Sequence, residues 1–334
     1  MGEINATSQL SFNEIAKRTD KNGMPVQIFE AMEEVNPVFK FIPAVECNHP
    51  YQHWVPRRTS KGTATWRKFY KGSAKTATTT QVAKFEVGLL EARSEVDEDI
   101  VDGAAGGEAG RISVRRTEDI GIASGMGDQV MDTLISGTSA GSPEEIDGLQ
   151  QYLNSLSQLT VMDGNNDGGT SIYIVDFNTK SGAYMIYPAG GNNGGLEVRT
   201  NPTGNAEGKK WVTDDDGNEY LAYCTQFKWW VGLCITDELA VGRYANINPT
   251  VGGSNTFNEN ELIKILEYGH FRPATTFILV SKEIKAQMTI RAKDKNNVNF
   301  DFSHALSGEE IVTFGGQARV LRCDSISTSE TVVV

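Results

Sequence analysis

A serine flanked by glycines is the first feature that could carry covalent chemistry. The segment Gly137–Gly141 reads G-T-S-A-G and matches G-x-S-x-G, the sharp turn that presents a nucleophilic serine in hydrolases. Such a turn must follow a strand and open a helix, whereas a helix-period apolar pattern precedes Ser139. We interpret the segment as a loop between helices. A serine hydrolase that uses Ser139 remains an alternative.

A second candidate is half of a calcium-binding loop. Asp163, Asn165 and Asp167 match its first positions, but the twelfth position, which needs a bidentate acid, is Ile174. The segment is therefore either a weak cation site or a surface loop, and we favour the loop.

Signatures of other cofactors are incomplete. His49 and His53 are four residues apart, but Pro50 lies between them and no H-E-x-x-H context supports zinc. The sequence has no G-x-x-x-x-G-K-[ST] phosphate loop, and Gly125-Met126-Gly127 lacks the third glycine of a dinucleotide site. We expect no catalytic residues, no cofactor and no metal, and hence no enzyme.

The charge pattern of residues 51–102 is more informative than any of these motifs. Residues 51–75 contain seven basic side chains and no acidic one, while residues 86–102 contain seven acidic side chains against Arg93. The basic part is rich in aromatic and β-branched residues, which favours extended structure. An extended basic arm beside an acidic block is suited to contact between copies of one protein.

We therefore predict that this arm binds the acidic block of another subunit. The residues proposed for this contact are Arg57, Arg58, Trp66, Arg67, Lys68, Glu91, Glu95, Asp97, Glu98 and Asp99. The competing interpretation is an arm that binds single-stranded nucleic acid, because basic residues alternate there with aromatic ones. The formal net charge of -12 counts against that alternative.

The amino-acid composition is typical of a folded protein. The chain has 334 residues, of which 39% are hydrophobic and 22% are charged, and this length suits one large or several small domains. Its four cysteines form no C-x-x-C pair, so we expect reduced, buried thiols. We see no secretion signal and no apolar run long enough for a membrane span, and we expect a soluble intracellular product.

The elements that would position these residues follow from periodicity. A hairpin is predicted with arms near 52–70 and 77–90 and with residues 71–74 at or near its turn, and each arm would span roughly 50 Å. Such a ribbon is only marginally stable without a surface to lie on. Upstream, the segment 26–32 could form one short helix.

Helical periodicity recurs further along the chain. A long helix is predicted over 108–136. Close packing against a sheet or a neighbouring chain would explain Gly121, Gly125 and Gly127 within it, and the alternative is a kinked or shorter helix. A second helix is predicted from the capping box Ser142–Glu145 through to Leu156. Two later helices are predicted over 259–268, capped by Asn258, and over 282–293, capped by Ser281.

Strands are predicted between these helices. The expected segments are 171–177, 183–187, 220–235, 275–280, 311–314 and 318–323, with an Asp-Gly hairpin turn before the third. Residues 190–208 are rich in Gly and Asn and are expected to form a loop. Helices and strands do not alternate regularly, so the fold class is predicted to be α+β.

In order of parts, the chain resembles tailed-bacteriophage major capsid proteins of the Hong Kong 97-type shell fold. Several segments are similar to one podovirus and siphovirus coat protein family. They are Leu89–Asp97, Pro143–Leu149, Thr170–Val175, Gly182–Pro188, Lys228–Leu233 and Arg243–Ile247. The likeness covers roughly residues 25–325.

This resemblance implies a division of the chain. Residues 1–45 would be an N-terminal arm, 46–100 an extended loop, 101–141 the spine helix and peripheral domain, 142–256 the axial domain, and 257–334 a return segment that completes both domains. The protein would assemble as hexamers and pentamers into an icosahedral head around double-stranded DNA.

The resemblance also implies partners. A short N-terminal arm leaves no room for a fused scaffolding domain, so a separate scaffolding protein is expected, together with a portal and a possible decoration protein. Packaged DNA would lie close by without specific contacts, and no membrane would be involved. The protein would reside in the virion, and in the host cytoplasm during assembly. A nanocompartment shell protein of the same fold is the alternative.

Overall fold

The computed structural model describes residues 36–103, 107–190, 193–199, 209–292, 299–304 and 310–334. The helices are α1 (Glu98–Asp102), α2 (Glu108–Ser136), α3 (Leu149–Tyr152), α4 (Glu259–Tyr268) and α5 (Lys282–Ala292). The first strands are β1 (Ala44–Glu46), β2 (Gln52–Ser60), β3 (Thr79–Glu86), β4 (Gly88–Asp97), β5 (Val161–Asp163), β6 (Thr170–Asp176), β7 (Ala183–Tyr187) and β8 (Leu196–Arg199). The others are β9 (Lys209–Thr213), β10 (Glu219–Ile235), β11 (Val241–Ile247), β12 (Thr276–Val280), β13 (Phe300–His304), β14 (Glu310–Phe314) and β15 (Ala318–Arg322). The helix expected at 26–32 lies outside the described residues.

A seven-stranded mixed sheet has the order β13-β14-β15-β12-β6-β11-β5. Its strand β6 is buried along its whole length, as expected of a strand covered on both faces. Ile172 and Ile174 pack into one apolar cluster with residues of α4 and α5. Tyr173 and Val175 point to the opposite face and join a second cluster. The alternation of side chains along β6 therefore connects two cores.

A six-stranded sheet is organised around β10. This 17-residue strand pairs with β4, β7, β8 and β9, and β7 pairs in turn with β1. Trp229 and Phe227 are fully buried in this region. Helix α2 packs against both β4 and β10. Because β4 follows the hairpin and immediately precedes α1, the acidic residues 91–97 lie on the sheet, and Glu98 and Asp99 lie on α1 rather than on a free arm.

The hairpin of β2 and β3 is shorter than predicted. The paired register runs from Gln52 opposite Glu86 to Ser60 opposite Thr79, and residues 61–78 lie beyond the ladder. The tip turns at Phe69 and Tyr70, directly before the segment 71–74 that was expected at or near the turn. The expected second arm was also too long, because residues 88–90 belong to β4. We attribute the early end of pairing to the lack of any surface beneath the ribbon.

The prediction for α2 is confirmed over its full length. Of the apolar residues whose helical spacing predicted this helix, Ala123, Met126, Val130 and Leu134 are buried, whereas Ile112 near its start is 55% exposed. A Cβ at Gly121 or Gly125 would meet nothing within 4 Å in the single subunit. Close packing against the chain's own sheet therefore does not require these two glycines, and packing against a neighbouring chain stays a prediction.

The helix predicted from the capping box is wrong. Only Leu149–Tyr152 is helical, and the preceding residues form turns. The Asp147 carboxylate accepts hydrogen bonds from the amide and hydroxyl of Ser139. The Gly148 amide donates to the carbonyl of Gly137. These local bonds compete with the helical pattern and fold the segment back on the end of α2.

The two later helices form where they were predicted, while one helix cap and one loop differ from the prediction. Helix α4 begins and ends at the predicted residues, and the Asn258 side chain accepts a hydrogen bond from the amide of Asn260. Helix α5 forms, but the predicted cap does not, because the Ser281 hydroxyl is buried without a hydrogen-bond partner among the described residues. The Gly/Asn-rich loop is interrupted by β8, which pairs with β10.

Residues 330–334 are fixed to the seven-stranded sheet by a buried ion pair. The Arg243 guanidinium lies 2.9 Å from the Glu330 carboxylate, and the two side chains are only 5% and 7% exposed. Glu330 also accepts hydrogen bonds from Gln150, Ser171 and Tyr173. We call this group the buried clamp: Arg243, Glu330, Gln150, Ser171 and Tyr173.

Candidate assembly interface

The hairpin tip, defined here as residues 61–78, is the most exposed part of the described chain. Every residue from Lys61 to Thr80 is exposed. Trp66, Phe69 and Tyr70 are 105%, 90% and 105% exposed, so these large side chains contact almost nothing in their own chain. The tip also carries five basic residues and no acidic one. An exposed apolar patch of this kind marks an interaction surface.

The base of the hairpin is held firmly by its own chain. Arg57 lies 2.6 Å from the Glu238 carboxylate and donates a second hydrogen bond to the carbonyl of Ile235. Its guanidinium also lies 5.5 Å from the centre of the Phe85 ring. Nε2 of His53 lies 3.2 Å from the Tyr184 hydroxyl. Arg57, predicted to contact another subunit, therefore fixes the hairpin within its own subunit.

The remaining basic candidates differ from Arg57. Arg58, Trp66, Arg67 and Lys68 are exposed. Arg67 donates to the backbone carbonyl of Lys71, 3.2 Å away, across the turn. Among the described residues, none of these three cations forms an ion pair with a carboxylate. They are available to a partner.

Parts of the acidic block are neutralised within the chain. Glu91 accepts hydrogen bonds from Gln226 and Arg93, and Lys228 lies nearby. The hydrogen bond from Gln226 contributes most to lowering the pKa of Glu91.

The other acidic candidates lie at the junction of β4 and α1. Glu98 pairs with Lys209, while Asp97 caps α1 by accepting from the amide of Asp99. Glu95 and Asp99 are exposed. The predicted acidic surface is thus reduced mainly to two residues, and the predicted contact with a neighbouring subunit stays a prediction.

Sequence reasoning missed the partners of Arg57. Glu238 and Ile235 lie about 180 positions further along the chain, and no local pattern links them to the hairpin. The one sequence signal near this contact is that two acidic residues, Asp237 and Glu238, follow β10 closely in the chain. A long-range contact of this kind requires the three-dimensional fold.

The motifs with catalytic or metal-binding patterns have structural partners. Ser139 is bonded to Asp147, in a turn that follows helix α2 rather than a strand. Asp163 accepts hydrogen bonds from the amide of Asn165 and the side chain of Asn246, which ties the loop to β11. Within the ranges that the structure describes, no cluster of three potential ligands could hold a metal ion.

The cysteines are free and buried, as predicted. Burial is the main cause that raises the pKa of Cys47 to about 12 and that of Cys234 to about 11, so both thiols stay protonated at neutral pH. No described helix is long and apolar enough to cross a membrane.

Comparison with known proteins shows which family the chain belongs to and which solved structures have a similar fold. The family model for the major capsid protein GP7 matches residues 20–334, and the chain belongs to that family. A chain of the bacteriophage Epsilon15 structure has a TM-score of 0.62 at 19% identity, with 99% of both chains covered. The bacteriophage JBD30 capsid has a TM-score of 0.51 at 8% identity, with 87% of this chain and 91% of that chain covered. None of the curated proteins matches the chain.

These findings define a structural class. The two solved structures have the same α+β fold, which confirms the predicted Hong Kong 97-type shell architecture. The family match identifies a major capsid protein of a tailed phage. Its copies assemble into the shell of the virion.

Proposed function

We propose that this chain forms both hexamers and pentamers of an icosahedral head that encloses double-stranded DNA. The observation that carries the proposal is the hairpin tip, whose aromatic and basic side chains are exposed in the single subunit. A closed shell needs large contacts to several neighbours, and such an arm supplies one of them. The rigid base at Arg57 would aim the arm, while the tip adapts to each neighbour.

Each segment of the chain would form a different region of the shell subunit. Residues 1–45 act as an N-terminal arm and 46–100 as the extended loop. Residues 101–141 supply the spine helix and peripheral domain, and 142–256 form the axial domain at hexamer and pentamer centres. Residues 257–334 return to complete both domains. The long helix α2 and the long strand β10 suit a subunit that is extended rather than compact.

Further partners follow from the same proposal. A separate scaffolding protein guides assembly in the host cytoplasm, a portal replaces one pentamer, and a decoration protein could bind the finished shell. The net charge of -12 would limit tight binding to packaged DNA. In this role the chain performs no catalysis.

The test is assembly with and without the hairpin tip. In the deletion variant, an Asn-Gly turn replaces residues 61–78 and joins Ser60 to Thr79, which already face each other in the ladder. Wild-type protein, co-expressed with the scaffolding candidate, is expected to give closed shells in negative-stain microscopy and large species in light scattering. The deletion variant is expected to give folded subunits only.

Two results would contradict the proposal. The first is that wild-type protein remains monomeric even with the scaffolding candidate. The second is that the deletion variant forms shells with wild-type yield, which would show that assembly does not need the tip. Circular dichroism of the purified deletion variant serves as the folding control, because residues 61–78 form no strand or helix.

A further inference from the structure

A groove lies beside the base of the hairpin, between β4, α2 and the turns at 142–146. It encloses a cavity of about 260 Å³. Leu90, Val130, Ile146 and Val231 form its apolar wall. An apolar cavity of roughly 150 Å³ accommodates a benzene-sized ring. The groove therefore has room for one aromatic side chain.

The rim of the groove is acidic. Glu144 and Glu145 stand at its mouth and are exposed, and neither forms an ion pair with a described residue. The described lining residues include no lysine or arginine. Gly88 keeps this wall close to β4, since a Cβ there would lie 3.2 Å from both the carbonyl of Glu144 and the side chain of Ile146. An apolar floor with an acidic mouth suits an aromatic residue flanked by cations.

The hairpin tip has this composition. Phe69 and Tyr70 form the turn and are almost fully exposed, with Lys68 before them and Lys71 after them. Tyr70 has a positive φ of 63°, which is uncommon for a residue other than glycine and fixes the tight turn of the tip. The tip does not occupy the groove of its own chain, because its side chains contact almost nothing there.

We propose that the groove receives the aromatic turn of the hairpin from a second copy of this chain, with Lys68 and Lys71 facing Glu144 and Glu145. This inference rests on the proposed function and assigns the receiving surface within it. It differs from the earlier prediction, in which the acidic residues of β4 and α1 receive the arm. Those carboxylates are largely paired within the chain, whereas the two at the groove are not.

Cysteine pairs distinguish the two receiving surfaces. All four native cysteines are buried, so added surface cysteines can be oxidised selectively. The test variant is Lys71→Cys/Glu145→Cys, and the matched control is Lys71→Cys/Asp99→Cys, in which Asp99 is an exposed acid of α1. In microscopically verified shells, the test pair is expected to give a ladder of disulfide-linked subunits that reductant removes. A ladder only in the control pair, or in neither, would overturn the proposal.

Charge exchange provides a second measurement. The variant Glu144→Lys/Glu145→Lys is expected to lower the shell yield by about tenfold or more, because it sets like charges against the tip. Adding Lys68→Glu/Lys71→Glu is expected to restore the yield. Reversal of Asp215 and Asp216 in the exposed β9–β10 turn is the control and is expected to change little. If the groove reversal behaves like this control, the groove is not the receiving surface.

The outcomes separate the two levels of inference. If wild-type protein forms no shells, the proposed function fails before the groove is tested. If shells form and the groove variants have no effect, only the assignment of the groove fails.

Discussion

The buried clamp and the hairpin tip use the same kinds of side chain in opposite ways. In the clamp, the charge of Arg243 is removed from water and paired with Glu330 inside the chain. In the tip, five basic residues and three large aromatics are exposed, and none of these cations pairs with a carboxylate of the described residues. Buried charge without a partner is costly, so the clamp fixes one arrangement of the subunit. The tip has few contacts within its own subunit, and we propose that another copy of the chain supplies the missing ones.

The largest expected effect is on the clamp. Arg243→Ala leaves the Glu330 carboxylate buried without its cation, and we expect a loss of roughly 3–5 kcal/mol in the free energy of unfolding. Urea denaturation of the isolated subunit measures this loss. The matched control is Arg322→Ala, which breaks an exposed pair with Asp324 and should cost less than about 1 kcal/mol.

The double variant Arg243→Met/Glu330→Met sharpens this prediction. With both charges replaced by apolar side chains, we expect a smaller loss than the sum of the two single replacements, because no unpaired charge is left behind. If Arg243→Ala were no more destabilising than Arg322→Ala, the clamp would not fix residues 330–334, and its contrast with the tip would disappear.

The next effect lies between the two regions, at Arg57. Arg57→Ala removes hydrogen bonds to Glu238 and Ile235, and we expect a loss of about 1 kcal/mol, since the Glu238 side chain is largely exposed. Hydrogen exchange at the amides of β2 should rise as the base loosens. Glu238→Gln is the milder control. If Arg57→Ala instead abolished assembly and left stability and exchange unchanged, Arg57 would belong with the tip as an intermolecular residue.

Several local elements could be predicted from sequence because each has its signal within one short segment. Periodicity predicted α2, and the cap at Asn258 predicted α4. The alternating and apolar runs predicted six of the thirteen described strands of the two large sheets, namely β6, β7, β10, β12, β14 and β15. The charge split also pointed to the hairpin as an interaction surface.

The capping box at 142–145 failed for a physical reason. The bonds that decide its fold join Gly148 to Gly137 and Asp147 to Ser139, across the end of α2. The ion pairs of Arg243 with Glu330 and of Arg57 with Glu238 could not be predicted from local sequence either. Their partners are separated by 87 and 181 positions. The groove beside β4 is assembled from four segments and has no sequence pattern of its own. Contacts between distant segments are what local patterns omit.

A smaller effect is expected from pH at the hairpin base. Burial, reinforced by the nearby His49, lowers the pKa of His53 below its ordinary value of 6.5. The unfolded chain therefore takes up a proton before the folded one, and stability should fall as the pH drops below about 6.5 and level off below the folded pKa. Comparison of wild type with His53→Gln between pH 7.5 and 5 measures this term. An unchanged slope in the variant would contradict the assignment.

The smallest effect on folding is expected at the tip, where the effect on assembly is large. Trp66→Ser/Phe69→Ser/Tyr70→Ser removes side chains that are already in water, so almost no burial is lost and stability should change by less than about 0.5 kcal/mol. Shell yield by microscopy and light scattering should nevertheless collapse, because we propose that these rings form the apolar part of the contact with a neighbour. A triple replacement at buried Ile172, Ile174 and Tyr173 is the control and is expected to do the reverse, since it would lower stability and prevent folding before assembly could be measured.

If the tip variant unfolded the subunit, the tip would be part of the core. If it assembled normally, the basic residues alone would have to form the contact. Stability without assembly is the result that separates a surface completed by a neighbour from one completed within the chain.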